Sequence, residues 1–204
     1  MITKQDILSR AAEWQLRPSV VEKDYVLGWI LTAIATNANT KDNWIFKGGT
    51  CIKKCYFETY RFSEDLDFSL LPEARYSQEE LKETLEELVV SAGSQSGIVF
   101  PLDKVEVKES RNKQNLKTFE GKIAYQGPLN VPTHPRILFD ITQHEAIVDK
   151  PVRREIFHPY PDQLPTTSVR SMKWRQRRRV RFLSAQDQEI FLMWSTYSKI
   201  KFMT

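Results

Sequence analysis

Two short segments of the sequence hold residues whose types and spacing could bind a metal ion and phosphates. The first is F-K-G-G-T-C-I-K-K at positions 46–54, and the second is R-F-S-E-D-L-D-F at positions 61–68. Because residues i and i+2 of a β-strand point to the same face, we predict that Asp65 and Asp67 project side by side. Two adjacent carboxylates repel each other unless a cation lies between them. Hard cations such as Mg²⁺ take oxygen ligands from carboxylates and substrate phosphates, so the pair predicts a site for such an ion.

The first segment reads as the end of a strand, a glycine turn and the start of a helix. The turn is formed by Gly48, Gly49 and Thr50, and it would offer backbone N–H groups and a helix N-terminus to phosphates. An Asp-x-Asp pattern alone is weak evidence, because exposed strands often carry alternating acids. The glycine turn a short distance upstream strengthens it, so we predict a combined metal–nucleotide site.

Regular elements must position these residues, and the sequence predicts several of them. Ser19 and Glu22 form a capping-box pattern just after Pro18, which indicates the start of a helix. Its apolar residues follow a core-facing stripe at Val21, Tyr25, Trp29 and Ala33. Further predicted elements are a strand at 44–46, a helix at 50–56, a strand at 64–70, a helix capped by Ser77 and Glu80 that ends near Val90, and strands at 104–109, 121–125 and 136–141.

A third carboxylate, Asp140, interrupts the last of these predicted strands, R-I-L-F-D-I at 136–141. The apolar neighbours suggest that this strand is buried, and a buried aspartate needs a partner or a metal ion. One reading is a single core polar residue that is satisfied by hydrogen bonds. The other is a third acid beside Asp65 and Asp67, and we favour it.

These residues resemble a known family. The pattern GG-x4-K followed by R-x-S-x-D-x-D is similar to the signature of the DNA polymerase beta-like nucleotidyltransferases, and the fuller string resembles the AbiEii/AbiGii toxin branch. The helix sequence V-E-K-D-Y-V-L-G-W-I-L at 21–31 also fits that branch, and the resemblance extends from residue 19 to 145. It implies an α+β fold with a mixed sheet flanked by helices.

The resemblance also implies an activity and roles for individual residues. The activity is transfer of a nucleotidyl group from a nucleoside triphosphate to an acceptor, either tRNA or a protein. The protein would be the toxin of a toxin–antitoxin or phage-defence system with a cognate antitoxin. Asp65 and Asp67 would hold two Mg²⁺ ions, and Asp140 would complete the triad. The nucleotide-binding residues would be Gly48, Gly49, Thr50, Lys54 and Ser63.

Composition sets further bounds. With 204 residues, of which 41% are apolar and 11% aromatic, the chain can bury a sizeable core and form one main domain. No run is apolar enough to span a membrane and the start is not a signal peptide, so we expect a cytoplasmic protein without a membrane partner. Cys51 and Cys55 lack the second ligand pair of a metal site and are predicted to be buried. Loop or surface positions are assigned to His134, His144 and His158.

The net charge of +4 comes from the end of the chain. Residues 1–169 carry 21 basic and 24 acidic side chains, a net charge of −3, whereas residues 170–204 carry 9 basic and 2 acidic ones, a net charge of +7. Seven of the twelve residues at 170–181 are basic. One interpretation is an RNA-binding arm, because arginine clusters with an aromatic residue suit phosphates and bases. Another is a solvated basic helix.

A third interpretation of this tail comes from the family pattern. After its third carboxylate the family continues with E-x-x-A-E-K and then R-P-R-D-x-x-D, and this chain has neither. Both become possible when the codons are read in another frame. The junction of Met172 with Lys173 must then give Glu, that of Met193 with Trp194 must give Val, and R-P-R-D falls at 186–190. We therefore hypothesise a frameshifted or truncated family member.

The predicted organisation is a nucleotidyltransferase core domain at 1–169 and a basic tail at 170–204 that is not native to the family. Without the lysine of E-x-x-A-E-K, most of the transfer activity should be lost. One rival hypothesis is a non-catalytic nucleic-acid-binding protein that uses the Arg-rich tail. Another is an inert remnant that folds and binds an antitoxin.

Overall fold

The fold alternates helices with the strands of one sheet. A computed structural model describes residues 1–58, 61–112, 114–165 and 168–173, and these belong to one compact unit, Met1–Lys173. The helices are α1 (Lys4–Trp14), α2 (Pro18–Thr36), α3 (Gly48–Cys55) and α4 (Gln78–Ser96), with a short 3-10 helix at Leu102–Lys104. The strands are β1 (Trp44–Lys47), β2 (Asp65–Leu70), β3 (Glu106–Arg111), β4 (Lys117–Ala124), β5 (Arg136–Thr142), β6 (Val152–Glu155) and β7 (Ser168–Ser171).

The described strands form a mixed sheet in the order β3-β4-β5-β2-β1-β7-β6. The pairs β2–β5 and β1–β7 are parallel, whereas β1–β2, β3–β4, β4–β5 and β6–β7 are antiparallel. Helices α2 and α4 pack on each other, and α3 packs on β2 and β1. The predicted α+β class, a mixed sheet with helices, is confirmed.

The two faces of β2 differ sharply, and this difference positions the aspartates. Leu66, Phe68 and Leu70 are at most 1% exposed and belong to the core. Phe68 stacks on Phe46 of β1, with ring centroids 5.2 Å apart, and on Phe139 of β5 at 6.4 Å. Burying each large apolar side chain contributes about 1.5–3 kcal/mol, and a one-residue slip would exchange the two faces. The core therefore fixes which face carries the carboxylates.

Helix α2 is buried over most of its length, including the predicted stripe. The predicted capping box is wrong: the helix begins at Pro18 with Arg17 as its N-cap, and no side chain caps it. Proline at the first position has its φ already set for a helix and lacks an N–H to cap. Glu22 instead points inward and accepts a hydrogen bond from the Leu129 backbone N–H at 2.6 Å.

Of the other predicted starts and ends of helices and strands, some are confirmed and some are wrong. The capping box of Ser77 and Glu80 is confirmed, but α4 continues to Ser96 and ends where Gly97 adopts φ +77°. Strands β3 and β4 lie two to four residues from their predicted starts, and β6, β7 and α1 were not predicted. Strand β7 ends at Ser171. The prediction of a tail of foreign origin falls mainly on residues 174–204, which lie outside the described residues.

The predicted burial of Cys51 and Cys55 is confirmed. His158 lies in a loop, as predicted, but not at the surface, because its side chain is only 6% exposed and lies 2.9 Å from the Asp162 carboxylate. Aromatic rings of Tyr25 and Tyr160 pack around it, which explains its burial in an irregular segment. Among the helices of the described ranges, none is long and apolar enough to cross a membrane.

Candidate metal–nucleotide site

Strand β2 presents two carboxylates on the polar face of the sheet. Asp65 and Asp67 both lie on β2 and are separated by the buried Leu66, so the predicted same-face arrangement is confirmed. In the sheet register Asp67 is the direct neighbour of Lys47 on β1 and of Asp140 on β5. Directly paired residues of adjacent strands project to the same face. One row therefore places a cation and two acids side by side.

The environment of Asp140 differs from the predicted one. The apolar residues around it in sequence suggested burial, but Asp140 is exposed, whereas the flanking Phe139 and Ile141 point into the core. Its next neighbour in the row is Glu120 of β4, and the Thr142 hydroxyl donates to its carboxylate at 3.4 Å. The reading as a single core residue satisfied by hydrogen bonds is therefore wrong.

The glycine turn lies directly against these acids. Gly48 has φ +76°, and a Cβ atom there would overlap the Asp67 carboxylate. A Cβ atom on Gly49 would lie 3.1 Å from the Ser63 hydroxyl. The Thr50 hydroxyl donates to the Asp65 carbonyl at 2.5 Å, which fastens the N-terminus of α3 to β2. The first turn of α3 and the two aspartates are therefore parts of one site.

The electrostatics of the site favour the binding of a cation. Burial, followed by the negative charge of Asp140, raises the pKa of Asp67 to about 6 against the opposing effect of Lys47. Partial loss of solvation also raises the pKa of Asp140, although its side chain reaches the surface. Both carboxylates are therefore less stable as anions than they would be in water, and a bound cation would relieve this.

A basic–acidic cluster beside the aspartates was missed in the sequence. The Lys47 ammonium forms an ion pair with Glu145, and the Ser69 hydroxyl donates to the same carboxylate. Burial raises the pKa of Glu145, but the hydrogen bonds from Lys47 and Ser69 outweigh burial and lower it overall. The signal available was the position of Lys47, one residue before the glycine turn. Glu145 lies 98 residues further along the chain and gave no signal.

Lys54 is turned toward α2. Its ammonium contacts the Asp24 carboxylate at 2.6 Å, and the two side chains are only 1% and 4% exposed. The Tyr160 hydroxyl donates to the same carboxylate at 2.9 Å. The structure thus brings Gly48, Gly49, Thr50 and Ser63 to the aspartates, whereas the Lys54 ammonium is held in a buried ion pair. Its role in nucleotide binding stays a prediction.

The donor set fits a metal ion that shares its ligands with a substrate. Within the described ranges, no three His, Cys, Asp or Glu side chains form a ready metal cage. Mg²⁺ seldom needs one, because it is usually held by one or two carboxylates together with substrate phosphates and waters. Asp65, Asp67 and Asp140 offer hard oxygen ligands, and a metal ion would offset the neighbouring negative charges that help to raise the pKa of Asp67.

Comparison with known families agrees with this geometry. The model of the nucleotidyl transferase AbiEii toxin family, described as part of a type IV toxin–antitoxin system, matches residues 29–175. In a comparison with curated proteins, none matches this chain. The family match spans far more than half of the 204 residues and includes the glycine turn and all three acids. The chain therefore belongs to the AbiEii nucleotidyl transferase toxin family.

Proposed function

We propose that this protein uses Mg²⁺ to bind a nucleoside triphosphate and to transfer its nucleotidyl group to a hydroxyl of an RNA acceptor, tRNA in particular. The acceptor oxygen bonds to the α-phosphorus while the bond to the pyrophosphate leaving group breaks, and the hydroxyl proton passes to solvent. The observation that supports this most is the contact between the glycine turn and the acids. The position that a Cβ atom on Gly48 would take is occupied by the Asp67 carboxylate, so groups suited to phosphate and to metal lie together. This arrangement suits a phosphate chain with a bound metal ion better than it suits a phosphate or a metal ion alone.

Each residue would contribute through position and charge. Asp65, Asp67 and Asp140 would hold two Mg²⁺ ions, and such ions neutralise phosphate charge and lower the pKa of an attacking hydroxyl. Gly48 and Gly49 would let phosphate oxygens approach the backbone N–H groups at the start of α3. Phosphoryl-type transfer depends almost entirely on positioning and charge stabilisation. Ser63, beside Gly49, would help to orient the phosphates.

Nucleotide binding is the direct test. Wild-type protein should bind a Mg²⁺–nucleoside triphosphate complex in a calorimetric titration, and Asp65→Asn should abolish that binding, because the amide cannot supply a carboxylate ligand. Asp103→Asn is a matched control, since Asp103 is an exposed aspartate in the 3-10 helix Leu102–Lys104. Equal affinity of the wild type and Asp65→Asn would reject the proposal.

Transfer itself is tested with a nucleoside triphosphate labelled at its α-phosphate and purified tRNA. Label that becomes attached to tRNA with wild type, but not with Asp67→Asn, supports the tRNA acceptor. The absent E-x-x-A-E-K lysine predicts low activity for the chain as it stands. The frameshift hypothesis concerns residues 172–204, and the family match ends at residue 175. The gene sequence tests it, because E-x-x-A-E-K must appear in the alternative frame.

The proposed biological setting follows from the family description. A toxin of a toxin–antitoxin system has a cognate antitoxin, and we propose that expression is harmful without it. A role in phage defence and a cytoplasmic location belong to the same proposal, because nucleoside triphosphates and tRNA are cytoplasmic substrates. Growth measured during induced expression of wild type and of Asp67→Asn, without antitoxin, tests this setting: inhibition by both would exclude transfer as its cause.

A further inference from the structure

Lys47 is the cation that the sheet places directly beside Asp67 in the row of acids. It is the last residue of β1, directly precedes Gly48 and pairs in register with Asp67. Its positive charge acts on both Asp67 and Asp140. Its side chain is 19% exposed, so it is neither sealed in the core nor free in solvent. A lysine in this position faces whatever binds to the acids.

The partner of Lys47 keeps it beside the acids. Glu145 follows β5 in a loop, accepts from the Lys47 ammonium and is itself held by the Ser69 hydroxyl. Ser69 lies on the same face of β2 as Asp65 and Asp67. Glu145 is 31% exposed, so its ion pair with Lys47 is partly screened by solvent and of modest strength. Lys47 can therefore leave this ion pair when a stronger contact becomes available.

We propose that Lys47 changes partners when substrate binds, leaving Glu145 to contact the triphosphate and hold it over the acids. This inference rests on the proposed function. A lysine ammonium on its flexible four-carbon stem is a mobile point charge with three donors. Contacts between an ammonium and phosphate are among the stronger hydrogen bonds in proteins. Lys47 would thereby supply a positive charge that the family's later lysine does not supply in this chain.

The alternative is a purely structural role, in which the ion pair only fastens the loop after β5 to the sheet. The two roles predict different directions for the changes in metal and nucleotide affinity. Lys47 repels a divalent ion at the acids but attracts a triphosphate, so a substrate-binding Lys47 affects these two affinities in opposite directions. A structural pair predicts that loss of either partner weakens the site in the same way.

The experiment measures two affinities separately. Mn²⁺ binding without nucleotide is followed by electron paramagnetic resonance, and binding of a non-hydrolysable nucleoside triphosphate is measured by calorimetry at saturating Mn²⁺. Lys47→Met should tighten Mn²⁺ binding roughly fivefold, because a nearby positive charge is removed. The same change should weaken nucleotide binding by roughly tenfold or more. Lys47→Arg keeps the charge and should retain most of the nucleotide affinity.

Glu145→Gln gives the opposite result for nucleotide. It removes the competitor for Lys47, so nucleotide binding should tighten, while Mn²⁺ binding weakens because the positive charge is no longer paired. Should Lys47→Met not fold in a thermal melt, Glu145→Gln still tests the inference with Lys47 in place. Lys117→Met is the matched control, because Lys117 is also a strand lysine in an ion pair, with Glu109. It lies in β4, one residue before Thr118, which pairs with Thr142 on the face of the sheet that carries Asp140. The Lys117 side chain therefore projects from the opposite face.

The outcomes separate the two proposals. Opposite shifts in nucleotide affinity for Lys47→Met and Glu145→Gln support the exchange of partners. Shifts in the same direction, or an unchanged nucleotide affinity in Lys47→Met, overturn it while leaving the proposed function intact. A wild-type protein that binds neither Mn²⁺ nor nucleotide overturns both.

Discussion

The environment of Asp67 suits a bound cation but reduces the stability of the fold when no cation is present. Its carboxylate lies between Lys47 and Asp140 in the register of the sheet and is packed against Gly48. Burial and the neighbouring charge of Asp140 raise its pKa from an ordinary 3.8 to about 6, which means that the folded protein holds the ionised form at a free-energy penalty. The proposed metal ligand is therefore a local weakness of the metal-free fold.

The penalty predicts that Asp67→Asn stabilises the metal-free protein at high pH. Above pH 6 Asp67 is ionised in both states and is penalised only when folded, so wild-type stability falls as pH rises from about 4 to 6. We expect the variant to gain about 1–2 kcal/mol at pH 8, less than the full pKa shift implies because of partial solvation. Urea unfolding in EDTA measures this; an equal gain at pH 4 would contradict the prediction.

Gly48 gives a second prediction for a single residue. Gly48→Ala introduces a Cβ atom where the Asp67 carboxylate lies and forces alanine into the left-handed region. Strain of this kind costs about 1–3 kcal/mol, and displacement of Asp67 should also abolish nucleotide binding. Gly49→Ala is the control, since its Cβ atom meets only the Ser63 side chain, with the hydroxyl oxygen at 3.1 Å. Similar losses of stability in the two variants would show that the contact with Asp67 is unimportant.

Among the elements, α3 links the site to the rest of the fold. Its N-terminus is fastened to β2 by Thr50, and near its C-terminus Lys54 forms the buried ion pair with Asp24 of α2. The backbone N–H of Phe57, just beyond α3, bonds to Ile52, and that of Phe157 bonds to Lys54. Movement of α3 would shift the glycine turn, so we expect the Asp24–Lys54 pair to position the site from a distance.

Lys54→Met tests whether this pair is structural. Removing one partner of a buried ion pair leaves an uncompensated charge and costs about 3–5 kcal/mol. The double variant Asp24→Asn/Lys54→Met should recover much of that stability in urea unfolding, because no unpaired charge remains. If Lys54 acts only through α3, the double variant should also recover nucleotide affinity. Persistent loss of nucleotide binding in a stable double variant would instead support direct contact of Lys54 with substrate.

The unit β1–α3–β2 could be predicted from sequence because its signals are local. Period-two aspartates, a glycine turn and short apolar runs lie within one stretch, 44–70. The pairing of Lys47 with Glu145 could not, because it depends on where the loop after β5 passes in space. Strand β6 was missed for a related reason: it is an edge strand whose sequence V-R-R-E is largely exposed, and exposed edges lack the apolar alternation that identifies strands.

At the scale of the whole molecule, the position of strand β7 decides at which residue a truncation that removes the tail should end. Strand β7 pairs with β1 through Ser171, and the Met172 N–H donates to the Phe46 carbonyl at 2.9 Å. A deletion from residue 170 would cut this strand beside the site and confound loss of the tail with damage to the sheet. The informative truncation therefore ends at Lys173, the last residue of the compact unit.

We predict that the form 1–173 keeps Mn²⁺ and nucleotide affinities within about twofold of the full chain, since it retains every residue assigned to the site and the elements that position them. RNA affinity should fall if the basic residues after 173 bind phosphates, and the fall should shrink as salt is raised, because each lost phosphate contact reduces counterion release. Calorimetry and a filter-binding assay at two salt concentrations measure these quantities. A truncated form that folds but loses nucleotide binding would mean that the tail completes the site, and the non-native origin of residues 172–204 would then be wrong.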